Sequence, residues 1–185
     1  PRANVDAILG AQSLELWRVG GFAGFLDALI KGVPEKLSAK IDFNATVLTY
    51  AKETLENVVV SIEGDKDAIR VKRVATGLPG QSRLLFEGVI FPGEQGAELG
   101  GTLALEALDL RTLSAWVFPS RASAIQSYWK GSRGRLKGQS RFTLTKDWFG
   151  LQDLQYELDG AAGTGELIHN LGERQNLDIR LDAKS

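Results

Sequence analysis

Leu37-Ser38-Ala39-Lys40-Ile41-Asp42-Phe43-Asn44-Ala45-Thr46-Val47 alternates apolar and polar residues without a break. Successive side chains on a strand point to opposite faces, so this period of two puts Leu37 to Val47 at odd numbers on a dry face. Ser38, Lys40, Asp42, Asn44 and Thr46 fall on a wet one. A strand of this kind belongs to an antiparallel sheet with one face on a core and one in water.

Reading on from this strand, four more follow at 55–63, 68–76, 82–91 and 97–107. They are bounded by the turn residues Gly64-Asp65-Lys66-Asp67, Leu78-Pro79-Gly80 and Pro92-Gly93-Glu94-Gln95-Gly96. Connections this short make neighbours antiparallel, which predicts a meander. Upstream, a short strand at 5–12 leads to Ser13 as the N-cap of a helix over 15–31, with Gly32 and Pro34 ending it. Downstream, a helix starts at Asp109 and runs to about Phe118, Pro119 stops it, and a second helix is expected over 121–130. Strands resume at 135–145, 151–159, 163–169 and 176–183. There Leu154, Tyr156 and Leu158 oppose Gln155, Glu157 and Asp159, and Leu177, Ile179 and Leu181 oppose Asp178, Arg180 and Asp182. The expected class is α+β, mainly an antiparallel β meander curved like a taco, with short helices between repeat units.

Two internal matches suggest a repeat. Leu48 to Gly64 aligns without gaps on Leu144 to Gly160, sharing Leu48/Leu144, Thr49/Thr145, Leu55/Leu151 and Gly64/Gly160. A Leu-acid-Leu step ahead of a helix occurs at Leu14-Glu15-Leu16 and at Leu108-Asp109-Leu110, and in part at Leu181-Asp182-Ala183. The separations, 96 residues from Leu48 to Leu144 and 94 from Leu14 to Leu108, are nearly equal. Residues 1–107 then form a first unit and 108–185 a second, shorter one within one continuous domain. The expectation is a piece of a longer repeating chain.

Composition narrows the function. The chain has 185 residues, 43% of them hydrophobic and 24% charged, enough for a substantial core. A formal net charge of -1 without a basic block argues against a phosphate-tracking surface, so nucleic acid is not an expected partner. The absence of cysteine rules out disulfides, thiolate metal sites and cysteine nucleophiles. Leu14 to Ile30, the longest apolar stretch, is interrupted by Glu15, Arg18 and Asp27 and is too short and too charged to span a bilayer.

Catalytic and metal-binding patterns are weak. His169 is the lone histidine, read as a surface or turn residue, and no His/Cys cluster accompanies it. Asp65 and Asp67 sit in a tight turn but lack the later ligand positions of a calcium loop. Pairs such as Asp42 with Glu63 and Glu157 with Asp159 lie on wet strand faces, Gly80-Gln81-Ser82 lacks a nucleophile elbow, and the Gly163 to Gly165 run is not followed by a helix. Tyr128-Trp129 and Trp148-Phe149 suit either corner packing or the rim of a trough. No enzyme activity, cofactor or metal is expected.

The order of these motifs resembles the AsmA-like family of Gram-negative envelope proteins. The resemblance rests on Leu48-Thr49 followed by Leu55-Glu56-Asn57-Val58-Val59-Val60, and on Ala75-Thr76-Gly77-Leu78-Pro79-Gly80 before Leu84-Leu85-Phe86-Glu87-Gly88. It continues in Leu108-Asp109-Leu110 ahead of a helix and in Leu154 to Gly160, while Gln81 stands where the family often has a second glycine. The resemblance implies a bridge-like lipid transfer protein, periplasmic and anchored in the inner membrane by a helix outside this sequence. Its stacked β-units would form an apolar trough serving phospholipid movement and outer-membrane biogenesis. The partners so implied are phospholipid or another acyl-chain lipid, and other envelope proteins. Val58, Val60, Ile62, Leu84, Phe86, Ile90, Leu103 and Leu105 are the trough-lining candidates, with plain core packing as the alternative. A structural or partner-binding β-scaffold with a fully packed core and no lipid groove is the competing overall reading.

Overall fold

The computed structural model describes residues 38–50, 53–65, 67–94, 96–117, 122–123, 127, 134–171 and 176–183. The strand expected at 5–12, the helix expected at 15–31 with its Ser13 cap, Tyr128-Trp129 and most of 121–130 lie outside them.

Nine strands form a single sheet in chain order: β1 (Ala39–Tyr50), β2 (Glu53–Gly64), β3 (Ile69–Leu78), β4 (Ser82–Gly93), β5 (Gly96–Ala107), β6 (Leu136–Leu144), β7 (Trp148–Leu158), β8 (Ala161–Asn170) and β9 (Asn176–Ala183). Every adjacent pair is antiparallel, so the sheet is a pure meander. Among the described elements the only helix is α1 (Leu110–Val117), which makes the described chain mostly β rather than α+β. The reason lies in the connections. All but one join strand to strand in a few residues, and only the β5–β6 link has the length to hold a helix.

Local chemistry sets the turns. Asp159 and Gly160 both have positive φ, 50° and 88°, the two-residue type I′ geometry whose twist suits a hairpin between β7 and β8. At the β3–β4 turn Gly80 (φ 76°) and Gln81 (φ 52°) are also left-handed, so Gln81 adopts the backbone that glycine takes at low cost. A side chain at Gly80 would collide with the carbonyl oxygen of Asp109, because the N-terminus of α1 rests on this turn. The Asp109 N–H donates to the Gly80 carbonyl at 3.0 Å, and its carboxylate caps α1 by accepting from the Thr112 N–H at 3.0 Å. At the β2–β3 turn Asp65 Oδ1 accepts from the backbone N–H groups of Asp67 (2.9 Å) and Ala68 (3.3 Å), an Asx turn.

The two aligned segments share a backbone feature. Asn57 in β2 and Asp153 in β7 occupy equivalent alignment positions, and both are left-handed, at φ 51° and 50°. Each marks a bulge, in the β2–β3 ladder between Glu56 and Val59 and in the β7–β8 ladder between Leu151 and Leu154. The equivalent strands nevertheless run in opposite directions, because β7 lies five antiparallel steps from β2, an odd number. The two units are joined through the β5–β6 ladder, from Leu99↔Leu144 to Ala107↔Leu136.

Buried residues gather on one face of β3 to β6: Ile69, Val71, Phe86, Ile90, Ala97, Leu99 and Leu144, with Ile62, Val74, Leu103, Phe142, Phe149 and Leu171 packed against them. Gly88 and Gly101 pair across β4 and β5 on this face and leave a gap in the layer of side chains. The Phe86 ring lies over Gly88 and meets Phe142 edge to face, with centroids 5.8 Å apart. Such a pair adds roughly 0.5–1.5 kcal/mol beyond the area it buries.

Candidate functional site

One row of directly paired residues crosses all nine strands: Ile41, Ile62, Val71, Gly88, Gly101, Phe142, Leu151, Leu167 and Ile179. Paired residues share a face, so the row carries one apolar surface from edge to edge. It contains no polar side chain. Its ends are open: Ile41 on β1 is 55% exposed and Ile179 on β9 is 49% exposed.

The eight residues singled out in the sequence all fall on this face. Val60 pairs with Phe43 and Val74, and Ile62 with Ile41 and Val71. Leu84 pairs with Leu105, Phe86 with Leu103, and Ile90 with Leu99. Val58 pairs with Ala45, one step along β2 from Val60. Val58, Phe86 and Ile90 are buried, whereas Val60, Ile62, Leu84, Leu103 and Leu105 are half-buried. The candidates therefore grade from packed core to partly accessible wall.

Other residues of the face escaped the sequence reading. Val71 and Val74 are three apart, so the period of two fails in β3; the bulge that separates them restores both to the apolar side. Phe142 and Leu144 follow Gly138 and Ser140, whose small side chains weaken the alternation of β6. His169, read as a surface or turn residue at a hairpin end, does sit at the hairpin end of its strand but is less exposed than expected. It lies within β8, half-buried, paired with Phe149 and with its ring centroid 5.4 Å from that ring. The even alternation of Gly165, Leu167 and His169 was the available signal.

The opposite face carries the charge. Lys40 Nζ lies 2.8 Å from Asp42, and Asp42 also accepts from the Ser61 hydroxyl at 2.6 Å. The Lys40 ammonium, followed by the Ser61 hydroxyl, holds the Asp42 carboxyl below its ordinary range, and Asp42 in turn raises Lys40. Lys72, 2.6 Å from Glu63, lowers the Glu63 carboxyl in the same way. An open hollow of about 480 Å³ also lies on this side, over Leu85, Ala104, Glu106, Lys137, Gln155 and Thr164. It mixes both signs of charge and lacks a nucleophile with a base beside it. Among the described residues no group of three His, Cys, Asp or Glu side chains is arranged to hold a metal, and no helix is long and apolar enough to cross a membrane.

Compared with family models, with curated proteins and with solved structures, the chain matches none.

Proposed function

We propose that the chain is a periplasmic segment of an AsmA-like envelope protein, and that it holds acyl chains against the apolar face of its sheet without catalysing a reaction. The observation that carries this reading is the uncharged row from Ile41 to Ile179, which spans every strand and stays exposed at both ends. Each methylene taken out of water contributes roughly 0.8 kcal/mol, so an acyl chain lying along such a surface is held without a shaped pocket. A curved, taco-like sheet would present this face inward. Polar head groups would stay at the rims, where the charged face begins.

The deep burial of Ile90 and Leu144, both 3% exposed, favours a second reading, a β-scaffold whose apolar face is closed by its own packing. Photo-reactive residues in place of half-buried Leu103 and Leu105 separate the two. Crosslinking to phospholipid in vesicles, together with lipid retained in native mass spectrometry, is expected for the conduit. A lipid-free protein with no crosslink at either position overturns it and leaves the scaffold.

A further inference from the structure

Polar side chains on the apolar face are few, and most are settled. Thr76, opposite Leu84, donates its hydroxyl to the Gly77 carbonyl at 3.0 Å, and Ser82, opposite Ala107, turns to the Gly80 carbonyl at 3.4 Å. Ser140, opposite Leu103, is buried, and His169 leans on Phe149 near the far end of β8. Tyr156 differs. It is half-buried, pairs with Gly138 and Gly163, and its hydroxyl makes no hydrogen bond among the described residues. A Cβ on Gly163 would collide with Cζ and the hydroxyl of Tyr156, so the phenol ring lies over that glycine and its hydroxyl is held at one place on the face. On the other side Gly138 is open: a Cβ there would meet nothing nearer than the Gln155 carbonyl oxygen at 3.6 Å and Leu154 Cδ1 at 3.7 Å. The same row continues to Leu105 on β5 and Leu84 on β4, both half-buried.

We infer that Tyr156 is the polar anchor of the apolar face: its hydroxyl donates a hydrogen bond to the ester carbonyl of an acyl lipid whose chain runs over Gly138 to Leu105 and Leu84. A tyrosine hydroxyl that leaves water takes an acceptor, and on this face the ligand supplies it. The acceptor is neutral. Arg83 and Lys137 project from the opposite face, in the row that pairs Arg83 with Glu106 and Lys137 with Glu157, so no cation stands beside Tyr156 to offset a carboxylate or phosphate. The span also fits. Half of a hydrocarbon core about 30 Å thick is about 15 Å, roughly three strand spacings of about 4.8 Å, which is the reach from β7 to β4. Because β7 ends at Leu158, two residues beyond Tyr156, a head group attached to that ester reaches the rim of the sheet. This assignment rests on the lipid-holding reading and adds where the ester lies and which way the chain runs.

Vesicles holding equal amounts of a diacyl phospholipid and its dialkyl ether analogue, matched in head group and chain length, provide the test. They are mixed with the full chain, and the retained lipid is identified by native mass spectrometry. The unmodified chain is expected to retain the ester form about 2- to 10-fold over the ether form, which lacks the carbonyl, as one neutral hydrogen bond gives. Tyr156→Phe, which keeps the ring over Gly163, should retain both equally, with the ether form at its original level. Gly138→Leu fills the open position beside the ring and should lose retention of both lipids with an unchanged circular dichroism spectrum. No ester preference in the unmodified chain, a preference that survives Tyr156→Phe, or undiminished retention by Gly138→Leu would each overturn the inference while leaving the lipid-holding reading in place. Retention of neither lipid by the unmodified chain would overturn both.

Discussion

A left-handed backbone at a residue that is not glycine is uncommon, and here it recurs at Asn57 and Asp153, aligned positions of the two repeat segments. An L-residue loses roughly 1–2 kcal/mol in this conformation; asparagine and aspartate tolerate it better through local hydrogen bonding. The β-branched variant Asn57→Val should therefore cost about 1–2 kcal/mol in a urea titration, while Asn57→Gly should be neutral or mildly stabilising. Equal costs for the two would show that the left-handed geometry is not what the site requires. The sequence places an Asn and an Asp at matching positions of the aligned segments, whose four identities made the repeat visible. It did not disclose the bulge, because a single extra residue alters side-chain period only where the neighbouring strand defines the register.

Strand alternation made most of the elements legible, and the places where it faltered are physical. The β3 bulge breaks the period between Val71 and Val74, and Gly88 with Gly101 removes side chains where Phe86 and Phe142 come together. That gap makes adjacent glycines unequal. A Cβ on Gly101 would collide with the Glu87 carbonyl, but one on Gly100 meets only the Phe91 ring at 3.9 Å. Gly101→Ala is thus expected to lower stability by about 1–3 kcal/mol, since β5 must move away from β4. Gly100→Ala should be tolerated, with a gain of up to roughly 1 kcal/mol from the restricted unfolded chain. Denaturant midpoints of the pair decide the matter, and a tolerated Gly101→Ala would remove the close approach as the reason for that glycine.

At the scale of the whole molecule, an open meander has a packed centre and two thin margins. Ile90, Leu99 and Leu144 are 3–6% exposed, against 55% for Ile41 and Leu181. Native-state hydrogen exchange should follow this gradient, with amides of β4 to β6 exchanging only through near-global opening and those on the outer edges of β1 and β9 exchanging first. Uniform protection across the sheet would contradict the gradient. By itself the sequence determined the meander, the two-faced strands and the surface to which the eight candidates belong, because period-two alternation and short turns are local properties of the chain. The tertiary structure alone decided that these strands make one sheet of nine, that Val71, Val74, Phe142 and His169 join the same face, and that equivalent strands of the two units oppose one another in direction. Those outcomes depend on register, bulges and the parity of strand order, which exist only once strands lie side by side.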